Sequence, residues 1–479
     1  MDNSQQFATL DQSVDAAADY ELARRNAPRI RFDKYEPFLP SVVGYTVFRA
    51  DAPSVSFPRQ ITLPPGAACA IEYAIWWDWD MGHLYELEHI WVYLDANETL
   101  VAAEASWHGG FHAMLTEAGQ MPIEDGRLTI YSESGKHAFA PSPAMLLARA
   151  EMTIRECGGF AGMMGVHVTP LFEGFIHERM PPNNQLVRTY LQRLAFAPSF
   201  EYSQLFDLAT VPYVPWARLF QWIPTRIKWW TEELERTIPL AERASWRIAH
   251  RGASAHAQEN SIASIRKAVE LGADMIEVDV RITADSVPVI SHDADLKRVY
   301  GVDGLIEHMT LDQLLALTPP GQEPIVTFEE LVKLCYTLAV GIYLDIKALN
   351  DPAAAFMYET LKRYDMLNFT LWASHMPDRV AEIKARAPKV LTSILFSSLH
   401  VDPVLVAKAV KCDYVHPCWE RFEEPHTFLT ETWLEGVRNA GLGIICWHEE
   451  RPAVIHELRL RGVDGICSDE PELLSNVFA

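Results

Sequence analysis

The sequence predicts an α/β architecture over its C-terminal half, an irregular (β/α)8 TIM barrel, preceded by a β-rich, sandwich-like N-terminal domain. Three observations lead there. From Trp246 onward, short apolar runs alternate with helix-like segments, the rhythm that a parallel sheet requires. Between Ile61 and Ile154 the runs are β-like and separated by turn residues instead. The chain has 479 residues, too many for one ordinary core, and a barrel of about 250 residues plus one other domain accounts for them. The expected division is 1–240 and 241–479.

In chain order, residues from Met1 to about Pro28 read as a polar, helical arm. The runs AIEYAIWW, HIWVYLD, TLVAAEASW and RLTIYS read as strands of the first domain. Helical material is expected from about Asn184 to Arg236. Within it, Trp216–Trp230 mixes Arg218, Arg226 and Lys228 with four tryptophans, which suits either peripheral contact with a membrane or packing between cores. Packing is the favoured reading, because Pro224 would break a long surface helix.

The barrel strands are read as RIAH, MIEVDV, VGIYLDI, FTLWAS, VLTSILF, DYVHP, GIICW and GICSD. One further run, Val287–His292, follows MIEVDV too closely to leave room for a crossover helix. It should return as a hairpin, through a turn at Ala284–Ser286.

Residues with chemical potential sit at these strand ends: His250 and Arg251, then Glu277 and Asp279, His292 and Asp293, Asp345 and Lys347, and Trp447. In a barrel the C-terminal strand ends form one face, so these scattered positions converge. Glu277 and Asp279 are two apart on a strand and point to the same side. Two inward carboxylates are costly to desolvate unless a cation sits between them, and Asp345 can supply a third ligand for a hard ion such as Mg²⁺ or Ca²⁺.

The run AHRGASAHAQENSIASIRKAVELGADMIEVDVRITADSVPVISHDADLKR is similar to the N-terminal signature of glycerophosphodiester phosphodiesterases. The likeness continues through MTLDQLLAL, IVTFEELVKL, YLDIK and GVDGICSDEP, and so spans Trp246–Ala479. The resemblance implies a barrel of the PLC-like phosphodiesterase type, with His250 and His292 as general acid and base and Glu277, Asp279 and Asp345 as metal ligands. It implies that Arg251 and Lys347 hold the phosphate, that Asn260 is a polar residue near the metal and phosphate, and that Trp447 packs on the glycerol or head group. Two positions depart from the pattern: Asp345 stands where the family usually shows Glu, and Trp447-His448 replaces the usual Trp-Thr.

The activity implied is metal-dependent hydrolysis of glycerophosphodiesters to glycerol 3-phosphate and an alcohol, by way of a cyclic phosphate. Release of the cyclic product would instead make the enzyme a phospholipase D-like lyase. A non-catalytic lipid- or phosphate-binding module is the other alternative. The compact span between Asp293 and Asp345 suggests an open pocket mouth that admits lysophospholipids, with Trp447, Trp419 and Phe422 as apolar rim residues.

In the first half, YAIWWDWD followed by MGHLYELEHIWVYLDANETLVAAEASWHGGFH faintly resembles necrosis-inducing proteins, whose core reads GHRHDWEH before a hydrophobic strand and an SxHGG. Mixed carboxylate and imidazole ligands make Asp80 or Asp78, His83, Glu86 and Glu88 a candidate second divalent site.

Composition excludes some partners. Forty-one Lys+Arg against 64 Asp+Glu leave a net charge of -23, which repels nucleic acid and anionic membrane surfaces. No run of about 18 uncharged apolar residues exists to cross a membrane. The N-terminus lacks signal-peptide character and the seven cysteines show no paired spacing, so a cytoplasmic protein with reduced thiols is expected.

Overall fold

The computed structural model describes Phe7, Leu10 and residues 17–475. Of the expected N-terminal arm it gives a helix at Ala17–Arg25 and the three residues after it, and before Ala17 all but Phe7 and Leu10 lie outside the described residues. Two compact units result: Met1–Arg179 with Tyr190–Thr237, and Met180–Thr189 with Ile238–Ala479. The segment Met180–Thr189 thus groups with the barrel, although it falls on the first domain's side of the expected boundary.

The first unit is a sandwich of two sheets. The larger is built on the long neighbours Val42–Phe48, Cys69–Trp79, His83–Leu94 and Leu100–Trp107, paired antiparallel. The smaller centres on Arg29–Phe32, which runs parallel to Arg127–Ser132 and antiparallel to Gln204–Asp207. Alternate residues of both sheets, including Ile30, Phe32, Ile130, Tyr73, Ile75 and Val92, meet in one apolar core between them.

Two expectations for this unit need correction. The stretch 184–236 is not continuously helical: strands at Gln204–Asp207 and Tyr213–Pro215 separate the helices Pro181–Gln192 and Trp216–Thr237. Pro224 lies inside an unbroken helix rather than ending it. That helix buries Trp216, Leu219, Trp222, Ile223 and Ile227, so this face serves packing rather than a lipid surface. Gly44 admits the helix, because a Cβ there would lie 2.8 Å from Leu219 Cδ2. Packing of this kind outweighs the hydrogen bond that a mid-helix proline forgoes.

The second unit is a closed barrel. Its eight parallel strands are Trp246–Ala249, Met275–Ile282, Gly341–Ile346, Thr370–Ser374, Leu391–Phe396, Tyr414–Pro417, Gly443–Cys446 and Gly465–Ser468. The first pairs with both the second and the eighth, which removes the sheet edges. Every residue of strands three, four, six, seven and eight is buried, as a sheet with helices outside and packed side chains inside demands. The run after Ile282 returns antiparallel as Pro288–Ile290, with Ser286 in the left-handed region at φ 64°.

At the opposite end from the strand C-termini, Gln185 and Arg188 donate to the main-chain oxygens of Val463 and Asp464. The Arg188 guanidinium also stacks 4.0 Å from the Trp246 ring. Between Asp293 and Asp345 the chain forms short helical segments around a cluster of Val289, Leu296, Ile306, Leu314 and Ile325. Among the described residues no helix is long and apolar enough to cross a membrane.

Candidate active site

The first strand delivers His250 to the barrel mouth, and the backbone then turns sharply. Arg251 and Gly252 both take positive φ, 55° and 78°. A Cβ on Gly252 would lie 2.7 Å from the Ser264 carbonyl carbon, so the HRG glycine is dictated by space as well as by φ. The turn points the Arg251 main-chain N–H at Glu277 Oε2, 2.9 Å away. A non-glycine residue held at positive φ is costly, and here the conformation serves a buried carboxylate.

Strand pairing assembles the acids. Glu277 and Asp279 alternate along the second strand, and the parallel register sets Asp279 directly beside Asp345 on the third. One carboxylate oxygen from each of the three lies within 4.8 Å of the others, and all three side chains are buried. Asn260 donates to Asp279 Oδ2 at 3.0 Å. Lys347 Nζ lies 3.2 Å from Asp279 Oδ1 and pairs closely with Asp345, and Arg251 Nε is 3.3 Å from Asp279 Oδ2.

These neighbours split the three carboxyls. Burial, then Asp279 and Asp345, push Glu277 well above the ordinary range. Burial also raises Asp345, against the pull of Lys347. For Asp279 burial is outweighed by Lys347 and Arg251, and its carboxyl is held low. Glu277 Oε1 and Asp345 Oδ1 are buried and have no hydrogen-bond partner among the described residues. Orphaned acceptors on converging acids are what an all-oxygen site for a divalent cation leaves when no ion is counted, so the residues fit Mg²⁺ or Ca²⁺.

Two imidazoles flank the acids, each gripped at Nδ1. His250 Nδ1 bonds Asp469 Oδ1 at 2.7 Å, and its Nε2 lies 4.0 Å from Glu277. His292 Nδ1 bonds Asp293 Oδ1 at 2.7 Å, and Arg298 holds the other oxygen of that acid at 2.5 Å. Although burial works against ionisation, the hydrogen bond from His250 brings Asp469 down to about 2. Both anchors are therefore carboxylates, which only accept, so Nδ1 is the donor and Nε2 carries the free lone pair.

All the barrel residues singled out from the sequence except Trp419 and Phe422 lie in this cluster or on its edge. Trp447 sits 5.4 Å from the His250 ring, with Lys347 Nζ 6.0 Å from its centroid. Trp419 is different: it is buried against Phe428 and Trp433 in the apolar layer, so it belongs to the core and not to the rim. Phe422 packs beside it on Phe428.

Several residues escaped sequence reasoning. Asp469 and Ser254, whose Oγ donates to Asp469 at 2.6 Å, carried no signal of their own. Glu259 escaped too, and it receives both Arg251 and Arg298. His375 and His416 were within reach, because they end strands read as FTLWAS and DYVHP. His416 is fully buried, bonded through Nδ1 to the Tyr343 hydroxyl at 2.6 Å, with its ring 4.8 Å from Trp447.

In the first unit Asp80, His83 and Glu86 also converge within 4.8 Å. His83 Nδ1 bonds the Tyr85 main-chain oxygen at 2.8 Å, and its Nε2 lies 3.7 Å from both acids. Lys136 holds one oxygen of Asp80 at 2.8 Å, and the other is buried with no partner among the described residues. Glu88 lies outside this group, its carboxyl pushed up to about 7 by burial. Asp78 is taken by Arg226 at 2.6 Å.

A closed parallel barrel with buried acids, flanking cations and two anchored imidazoles at its strand C-termini is the apparatus of a phosphodiester-cleaving enzyme. Residues 250–473 match the family model described as "Glycerophosphoryl diester phosphodiesterase family". The barrel unit belongs to that family and is a phosphoric diester hydrolase. The chain is 27% identical over 240 residues to a glycerophosphodiester phosphodiesterase of Caldanaerobacter subterraneus subsp. tengcongensis, covering 48% of this chain and 96% of that one. It is 32% identical over 142 residues to a human protein named lysophospholipase D GDPD1, covering 26% of this chain and 44% of that one. Among solved structures, it is similar to an Oleispira antarctica phosphodiesterase in complex with the product sn-glycerol-3-phosphate. That likeness has a TM-score of 0.43 and 24% identity, and covers 48% of this chain and 95% of that one.

Proposed function

We propose that the barrel hydrolyses glycerophosphodiesters to glycerol 3-phosphate and an alcohol in a metal-dependent reaction. The observation that carries this reading is the pair of imidazoles, each fixed through Nδ1 on a carboxylate at 2.7 Å with Nε2 left for proton transfer. One takes the proton from the glycerol hydroxyl that attacks phosphorus, and the other protonates the departing alcohol. Water then opens the cyclic phosphate with the two roles exchanged. Lys347 and Arg251 meet the charge that develops on the phosphoryl oxygens. A divalent ion, Mg²⁺ or Ca²⁺, held by Glu277, Asp279 and Asp345, would supply Lewis-acid neutralisation of the same oxygens. Asn260 keeps Asp279 in place, and Trp447 offers an apolar face to the glycerol or head-group carbons. A module that only bound phosphate would have no use for two anchored proton carriers.

Purified protein should release glycerol 3-phosphate from glycerophosphocholine, and chelation should abolish the release. Accumulation of a cyclic phosphate without glycerol 3-phosphate would assign the lyase reaction instead. The substrate range extends to lysophospholipids in this reading, supported by the name of the human relative and by the short segments between Asp293 and Asp345, which spend their apolar residues on their own cluster. Equal or better kcat/KM for lysophosphatidylcholine than for glycerophosphocholine is expected, and a strong preference for the short substrate would remove the extension.

Asp80, His83 and Glu86 are proposed as a second divalent site, whose occupancy Asp80→Asn should abolish. Seven free, buried cysteines suit a reducing compartment such as the cytoplasm.

A further inference from the structure

The loops after the seventh and eighth barrel strands carry a second convergence of ligating side chains, separate from the three acids. The His250 and His448 rings stack with centroids 4.9 Å apart and planes inclined by 10°. Asp469 joins them: its Oδ1 is 2.7 Å from His250 Nδ1 and its Oδ2 is 3.8 Å from His448 Nδ1. Glu450 places its two oxygens 3.1 and 3.0 Å from the same His448 nitrogen and accepts the Asp469 main-chain N–H at 2.9 Å. One ligating atom each from His250, His448 and Asp469 therefore lies within 4.8 Å of the others, and Glu450 flanks them at His448. The side chains of His448, Glu450 and Asp469 are 32, 31 and 33% exposed, so an ion reaches them without any opening of the barrel.

We propose that this cluster is an inhibitory site for a borderline transition metal, Zn²⁺ in the first instance, bound by His250, His448, Asp469 and Glu450. Zinc takes mixed nitrogen and oxygen ligands at about 2.0–2.2 Å, which puts tetrahedral ligands about 3.4 Å apart. The His250–Asp469, His448–Glu450 and His448–Asp469 separations, 2.7, 3.0 and 3.8 Å, bracket that value. The all-oxygen trio of Glu277, Asp279 and Asp345 suits Mg²⁺ or Ca²⁺ instead, so the two sites select different ions.

The inhibition follows from the tautomer of His250, and it rests on the reading of that residue as a proton carrier. Without zinc the single ring proton sits on Nδ1, donated to Asp469, and Nε2 has the lone pair. Zinc takes the Nδ1 lone pair, and the displaced proton is replaced by one on Nε2 through solvent. The ring stays neutral and no electron is transferred. Its Nε2 now carries hydrogen and cannot accept the proton of an attacking hydroxyl.

The test is a ZnCl2 titration of glycerophosphocholine turnover at saturating Mg²⁺, for the unaltered protein and for His448→Thr. The unaltered enzyme should be inhibited, with no relief from further Mg²⁺. The variant should keep its zinc-free rate and need about 10–100-fold more Zn²⁺ for equal inhibition. Equilibrium dialysis with Zn²⁺ in Mg²⁺ buffer should find one ion fewer per chain in the variant, and this readout does not depend on turnover. Any zinc at Asp80, His83 and Glu86 is common to both proteins and cancels. Glu450→Gln, which keeps the hydrogen-bond shape but weakens the ligand, should lie between the two. Equal zinc sensitivity with equal stoichiometry would overturn the proposal, as would inhibition that Mg²⁺ relieves, which would put the zinc on the acids. Absence of turnover with the stoichiometry difference intact would instead count against the hydrolase reading alone.

Discussion

Replacing Asp469 separates what its charge does from what its position does. Both hydrogen bonds that hold the first imidazole in place, from His250 Nδ1 at 2.7 Å and from Ser254 Oγ at 2.6 Å, end on the same oxygen, Oδ1. Asp469→Asn can keep that oxygen and both geometries while losing the charge. A hydrogen bond to a charged group contributes about 1.5–3 kcal/mol and a neutral one about 0.5–1.5, so the imidazolium formed during proton transfer loses about 1–1.5 kcal/mol of support. That is about a tenfold fall in kcat. Asp469→Ala removes the bonds themselves and lets the ring rotate toward His448 and Glu450. Misplacement of a reacting group by about 1 Å costs on the order of 10²-fold, so the alanine variant should lose about 10²–10³-fold. The assay is glycerol 3-phosphate release at saturating metal and substrate. An alanine variant within about threefold of the parent would refute the positioning argument, and an asparagine variant as poor as the alanine one would show that charge alone matters.

Other outcomes are expected. His250→Ala and His292→Ala should each lower turnover by about 10²–10⁴-fold with divalent-ion affinity unchanged by calorimetry, and near-normal rates in both would remove the pair from the chemistry. Glu277 is raised above its ordinary value of 4.5, so in that window the folded, metal-free protein binds more protons than the unfolded chain. Stability should therefore fall as pH rises from about 4.5 toward the folded pKa, and both Mg²⁺ and Glu277→Gln should flatten the slope. Melting curves that show the same slope with and without the ion would sink this account. Gly44→Ala sets a Cβ 2.8 Å from Leu219 Cδ2 and 3.1 Å from Trp216 Cε3, an overpacking that should cost about 1–3 kcal/mol, read as a lower Tm for the first unit. An unchanged melting curve would mean that the helix simply shifts.

The barrel was legible because parallel strands buried on both faces spell continuous apolar runs, such as GIYLDI and GIICW. The hairpin at Pro288–Ile290 was legible for a different reason, the shortness of its link. The first unit hid more. Gln204–Asp207 is exposed or half-buried throughout, so no alternation marks it, and it lies between two helices that seemed to run together. Pro224 misled because packing, which no local rule contains, decides the helix. At the site, acids and histidines on strand ends could be named from position. Asp469, which anchors the His250 ring, and Glu259, which holds Arg251 and Arg298, could not, because such a carboxylate looks like any surface acid until the fold sets it beside its partner.

The bond between His250 and Asp469 spans 219 residues of sequence and crosses the seam where the first barrel strand meets the eighth. A ribosome makes the two ends of that bond at nearly opposite ends of the barrel's synthesis. No partially made chain, and no barrel open at this one seam, can hold the first imidazole in its working tautomer. Full turnover in the proposed reaction thus depends on closure of the ring of strands.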